Sequence, residues 1–122
     1  MDTSATCPFC EYAGPSKIFY RVYDTVVDVD IYFIEPLNPV TPGHLLAIPD
    51  KHVNKLGSMR AAAVLREAAR RAELVYPKAF NLIVNYGADA TQTIDHMHVH
   101  IVPRYPGDGL LLPWTPMAKV TA

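Results

Sequence analysis

Gln92-Thr93-Ile94-Asp95-His96-Met97-His98-Val99-His100-Ile101-Val102 is the stretch on which the reading of this chain turns. From His96 to Ile101, imidazoles alternate with apolar side chains. A β-strand explains that spacing, because successive side chains point to opposite faces. A strand over 96–105 puts His96, His98 and His100 on one face and Met97, Val99 and Ile101 into the core. Three of the five histidines lie here. Thr, Lys or Glu would serve a merely wet face equally well, so the repeated imidazole points to chemistry. One reading is metal binding. Same-face neighbours on a strand lie about 6.6–6.8 Å apart, so two of them can share an ion while all three share one only awkwardly. The other is nucleophilic catalysis, in which one imidazole attacks and its neighbours stabilise charge. A phosphoryl group is the natural electrophile, since it needs donors for its equatorial oxygens. Gln92 and Thr93 are neutral donors of that kind, and a loop over 87–91 can add backbone N–H groups.

Outward from this stretch, β-branched and aromatic residues predict strands over 18–23 and 26–35, with a turn near Asp24-Thr25. Three prolines make Glu35 to Gly43 a loop. A third strand covers 44–49, and a further one covers 80–86. The spacing of Leu65, Ala68, Ala69, Ala72, Val75 and Tyr76 predicts one long helix over 58–76, with Ser58 as cap and Pro77 as stop. Arg66, Glu67, Arg70, Arg71 and Glu73 then face water. Strands, one long helix, then strands again favour an α+β fold, an antiparallel sheet of about five strands with one helix. Residues 106–122, broken by Gly and Pro, form an irregular tail.

The chain has 122 residues, half of them hydrophobic and 19% charged. That length suits a single domain spanning 1–122, and the apolar fraction excludes intrinsic disorder. The formal charge of −1 leaves no basic field for nucleic acid or a membrane surface. No apolar run reaches the roughly 18 residues of a membrane span. The opening MDTSATCPFC lacks a basic start and an apolar core, so a cytoplasmic protein is expected. The two cysteines, Cys7 and Cys10, form Cys-Pro-Phe-Cys, a spacing that suggests half a metal site or a redox motif.

His96 to Val102 resembles the His-φ-His-φ-His-φ-φ signature of the histidine-triad (HIT) superfamily. Thr41-Pro42-Gly43-His44-Leu45-Leu46-Ala47-Ile48-Pro49 is similar to the family's Pro-Gly-His-x-Leu-φ-φ-Pro strand. Asn85, Gly87, Gln92 and Thr93 match its Asn-x-Gly…Gln-Ser/Thr run, and Val102-Pro103-Arg104 matches a common continuation. The match runs in order from Cys7 to about Arg104. The resemblance implies a homodimer that binds purine nucleotides, often AMP, and acts as a nucleotide hydrolase or nucleotidyl transferase at the α-phosphate. Phosphoramidates and dinucleoside polyphosphates are the implied substrates. By carry-over His98 is the nucleophile, His100 and His44 contact phosphate and leaving group, and Asn85, Gln92 and Thr93 hold phosphate oxygens. Mg²⁺ is not expected to be obligatory. Similar bacterial members hold structural zinc, here on Cys7, Cys10, His52 and His96, a Cys₂His₂ set that suits Zn²⁺. That makes 1–16 a zinc-ligand-bearing segment. The competing functions are a nucleotide-binding sensor or adaptor with little turnover, and a metal-binding protein using the histidine cluster.

Two positions depart from the family pattern. Asp or Asn usually stands eight residues before the Pro-Gly-His histidine to hold the ribose. Here Pro36 does, leaving Glu35, the stronger acceptor, or Asn38 as substitutes. The family also tends to have Gly before the Gln, where this chain has Thr91. A reshaped loop is expected there, because Thr at positive φ would be strained. Asp95 reads as a surface charge. Arg104 reads as a phosphate contact or a surface pair. Phe33, Ile34 and Leu37 line a base pocket, with ordinary core packing an equal account of Phe33 and Ile34. Trp114 closes over a base, joins an interface, or packs on the sheet.

Overall fold

The structure, a computed structural model, describes residues 18–115. Cys7 and Cys10 lie outside them. The elements are β1 (Ile18–Asp24), β2 (Val29–Ile34), β3 (Leu45–Pro49), α1 (Met59–Val75), β4 (Phe80–Ile83) and β5 (Val99–Pro103), with a short 3₁₀ turn at Ala88–Ala90. The five strands form one antiparallel sheet in the order β1-β2-β3-β5-β4. The α+β expectation therefore holds. The last strand inserts between the third and the fourth, which brings His100 beside the chain that follows His44.

Both hairpin and helix have local causes. In the β1–β2 turn the Asp24 carboxylate accepts the Val26 and Val27 N–H groups, and Asp28 takes a left-handed φ of 54°. Ser58 caps α1 by accepting the Ala61 N–H at 3.1 Å. The buried stripe of α1 includes Ala61, Val64, Ala68 and Ala72, with Leu65 and Tyr76 only partly buried. It is rotated from the expected stripe, and Val75 is exposed. Mostly small side chains let the helix lie close on the sheet.

Strand alternation assigns the faces. Phe33, Ala47 and Val99 form one row across β2, β3 and β5, on the face that packs with α1. Phe33 is fully buried there, so it belongs to the core. Ile34, Leu46, His100 and Ile83 form the next row, on the opposite face. Ile34, Leu46 and Ile48 make a second buried cluster on that side. His100 therefore stands on the sheet face away from the helix. Among the described residues, no helix is long and apolar enough to cross a membrane.

Candidate active site

The expected strand over 96–105 is shorter than its sequence pattern. Regular pairing starts at Val99, and His96 sits in a bend whose N–H donates to the Ile94 carbonyl. The three imidazoles consequently separate into two groups. His98 lies against His100, with ring centroids 5.3 Å apart, and His100 lies 5.2 Å from His44. His96 is fully buried and meets His52 edge-on at 5.2 Å.

Hydrogen bonds fix the tautomers of the first group. The Val40 N–H donates to Nδ1 of His44 at 3.1 Å, so His44 carries its proton on Nε2. That Nε2–H donates to Nδ1 of His100 at 3.0 Å, which leaves the proton of a neutral His100 on Nε2. His98 donates its Nδ1–H to the His96 carbonyl at 2.9 Å. A neutral His98 so oriented carries its lone pair on Nε2, the form in which imidazole attacks an electrophile. The result is a ring whose lone pair lies on Nε2 beside one N–H donor. Burial holds the His44 pKa below its ordinary value of 6.5. Burial first, then the neighbouring His98 and His44, pushes His100 down to about 4. Both rings are neutral at pH 7, so the donor chain is intact there.

The loop before His44 is tightly held. The His44 N–H closes a turn on the Thr41 carbonyl at 3.2 Å, with Pro42 and Gly43 in the middle and Gly43 at φ +88°. Pro at the first and Gly at the second central position is what a type II turn requires. The buried Thr41 hydroxyl donates to the Pro103 carbonyl at 2.9 Å, tying the turn to the end of β5. Glu35 and Asn38 are exposed on the same loop, and so is Leu37.

On the other side, Asn85 is half-buried two residues beyond Ile83, the β4 partner of His100. Gln92 is tied to Gly87 at both ends. Its backbone N–H donates to the Gly87 carbonyl at 3.1 Å, and its Oε1 accepts the Gly87 N–H at 2.8 Å. The amide NH₂ is thereby oriented as a donor group. Thr93 is exposed. The expected reshaping at Thr91 does not occur. Thr91 keeps a left-handed φ of 66°, because it ends the 3₁₀ turn and its N–H donates to Ala88. Asp95 is exposed, as a surface charge should be. Arg104 is engaged by Asp108, Asn81 and the Leu110 carbonyl, so it anchors the segment after β5. That pairing holds the Asp108 carboxyl well below the usual carboxylate range. Trp114 is 77% exposed, which excludes packing on the sheet.

The second group can serve a metal. His96 donates Nε2–H to the Pro49 carbonyl at 2.9 Å, which puts the lone pair of a neutral ring on Nδ1, the atom through which it could hold a metal. A ligating histidine commonly anchors its other ring nitrogen on a carbonyl in this way. Burial, foremost, lowers the His96 pKa and favours the neutral, metal-binding form. The His52–His96 pair thus fits half of a tetrahedral zinc site. Among the described residues no cluster of three or more ligating side chains occurs.

The HIT domain model matches residues 15–107. The chain belongs to the HIT domain family. Among relatives of this HIT chain, the bis(5'-nucleosyl)-tetraphosphatase [asymmetrical] of Schizosaccharomyces pombe is 33% identical over 107 residues. That alignment covers 82% of this chain and 56% of the yeast protein, so the chain spans little more than half of that relative. A Zn-bound histidine triad family protein from Mycobacterium smegmatis superimposes with a TM-score of 0.65 at 33% identity, covering 93% of this chain and 85% of that one. A HIT family hydrolase from Clostridium thermocellum gives a TM-score of 0.66 at 28% identity, covering 87% and 96%. Sequence reasoning had found the histidines. It missed Tyr76 and Tyr105, whose hydroxyls reach the carbonyls of Gly43 and Pro42. A tyrosine at a helix end carries no sequence signal for such a contact.

Proposed function

We propose that this HIT domain is a nucleotide hydrolase acting at the α-phosphate of a purine nucleotide through a covalent nucleotidyl-histidine on His98. The observation that carries this reading is the pairing of a His98 held through Nδ1 with the neutral donor chain from Val40 through His44 to His100. His98 Nε2 uses its lone pair to form a bond to the α-phosphorus. The bond from phosphorus to the leaving group breaks, and its electron pair departs with the leaving atom. The positive charge on the His98 ring is stabilised by the His96 carbonyl that accepts its Nδ1–H. The His100 Nε2–H hydrogen-bonds the leaving atom, and Asn85, Gln92 and Thr93 hold the phosphate oxygens. Water then attacks phosphorus, the N–P bond breaks back to His98, and the nucleoside monophosphate leaves as the water proton passes to solvent.

A neutral His100 donates a hydrogen bond but not a proton. Polyphosphate departs as an anion and needs only the former, whereas an amine needs the latter. This favours a dinucleoside polyphosphate over a phosphoramidate, in keeping with the name of the yeast relative. Glu35 is the acceptor we assign to the ribose in place of the residue that Pro36 replaces, with Asn38 second. Cys7, Cys10, His52 and His96 would hold zinc, whose contribution there is structural. Edge strand β4, with all four residues half-buried, suits pairing with a second copy in a homodimer.

The test is AMP release from a diadenosine polyphosphate and from adenosine phosphoramidate, by wild type and His98→Ala, with intact-mass detection of adenylylated protein. Release by wild type and none by the variant is expected, the polyphosphate reacting faster. AMP binding by both without release would make the protein a sensor or adaptor. For zinc, Cys10→Ser should lower metal content and Tm far more than activity per folded molecule, read by metal analysis and calorimetry. Equal loss of both in a folded variant would refute separate sites.

A further inference from the structure

The turn that carries His44 has two carbonyls that its own backbone does not use, and a tyrosine holds each. Tyr105, just beyond β5, donates its hydroxyl to the Pro42 carbonyl at 2.7 Å. Tyr76, the C-cap of α1, donates to the Gly43 carbonyl at 2.6 Å. The Pro42 carbonyl belongs to the central peptide of the turn, the plane whose rotation interconverts turn types. The Gly43 carbonyl belongs to the peptide that joins Gly43 to His44, so its plane sets the direction in which the His44 backbone departs. Tyr76 also packs against the turn. A methyl group on Gly43 would lie 2.7 Å from the Tyr76 hydroxyl, so any larger residue there would push the Tyr76 ring aside. Two elements distant in sequence thus converge on one turn, and that turn points one imidazole.

We propose that Tyr76 and Tyr105 are positioning residues for the reaction, holding the Pro42-Gly43 turn so that His44 Nε2 stays aligned on His100. The assignment rests on the function proposed above, and neither tyrosine is given contact with substrate. The link to His44 is short. From Gly43 the fixed plane leads directly to His44, whose ring bonds Val40 on one side and His100 on the other. A small rotation of the turn would lengthen the second bond and release the His100 Nε2–H, the hydrogen-bond donor, from its fixed direction. Misplacement of a reacting group by about 1 Å can cost about a hundredfold in rate, so the loss of two modest hydrogen bonds is expected to be visible.

The experiment compares Tyr76→Phe, Tyr105→Phe and the double variant with wild type. Each keeps the ring and loses only the hydroxyl. The control is Tyr23→Phe, which removes a hydroxyl bonded to Asp28 in the distant β1–β2 turn. With a diadenosine polyphosphate, the double variant should lose about fivefold or more in kcat with KM changed less than about twofold. Tyr23→Phe should match wild type. On a His44→Ala background the same tyrosine changes should have no further effect, because the residue they act through is gone. An unchanged kcat, or an undiminished loss on the His44→Ala background, overturns the proposal. The imidazole ¹⁵N spectrum is read in parallel and needs no turnover. Shifted His44 nitrogens in the double variant support the proposal, and an unchanged His44 spectrum refutes it. If wild type releases no AMP from any probe, the hydrolase reading fails, and the spectrum alone decides the positioning role.

Discussion

Thr91 occupies a conformation that suits glycine, with φ +66° beside the loop that ties Gln92 to Gly87. A β-branched residue there costs about 1–3 kcal/mol. Glycine would relieve the strain and give back about 0.4–1 kcal/mol through the freer unfolded chain. Thr91→Gly is therefore expected to raise stability by about 1 kcal/mol in urea denaturation. A loss of stability would show that this backbone is not strained. At this scale the candidate site was partly legible. The imidazoles and Gln92 announce themselves by type and spacing. The left-handed Thr91 did not, since a sequence shows the residue and not the backbone angle. Type alone leaves Arg104 open between phosphate and a pairing role, because a guanidinium suits both, and the contacts with Asp108 and Asn81 decide for pairing.

The helix shows what periodicity can and cannot decide. The apolar spacing fixed its length to within a residue at each end, and Ser58 marked its start. It did not fix which way the helix is turned. Leu65, Val75 and Tyr76 weigh most in a hydrophobic pattern, yet Ala61, Val64, Ala68 and Ala72 are the residues pressed on the sheet. Close approach rewards small side chains, and counting apolar residues does not register closeness. Ala68→Leu should therefore overpack that contact and cost about 1–3 kcal/mol, while Ala62→Leu on the exposed face should stay within about 0.5 kcal/mol of wild type. Denaturant midpoints distinguish the two, and equal effects would refute the stripe. The same limit applied to the triad. Alternation implied one continuous strand face, but pairing begins at Val99, and the bend before it sends His96 to a different neighbour.

For the whole molecule, the buried imidazoles predict how stability follows pH. His44 and His100 lie below their ordinary value of 6.5 in the folded state, His100 at about 4. The unfolded chain therefore binds more protons between those values, and stability rises with pH across that range. The contribution is fully present above pH 6.5 and is lost as pH falls toward 4. The Tm should drop across that window. His100→Asn should flatten the drop, because the substituted side chain does not titrate. An unchanged slope would exclude His100 as a source. A different consequence comes from the insertion of β5 between β3 and β4. The bond from His44 to His100 joins residues 56 apart in sequence, and it forms only once the final strand enters the sheet. Contacts so distant carry a large loop-closure cost and tend to form late. On the function proposed above, a chain still tethered at the ribosome with β5 unmade would have no relay and would be chemically silent. Reactivity toward a nucleotide would then report completed topology, and a truncated chain that kept its first three strands and helix would bear none of it.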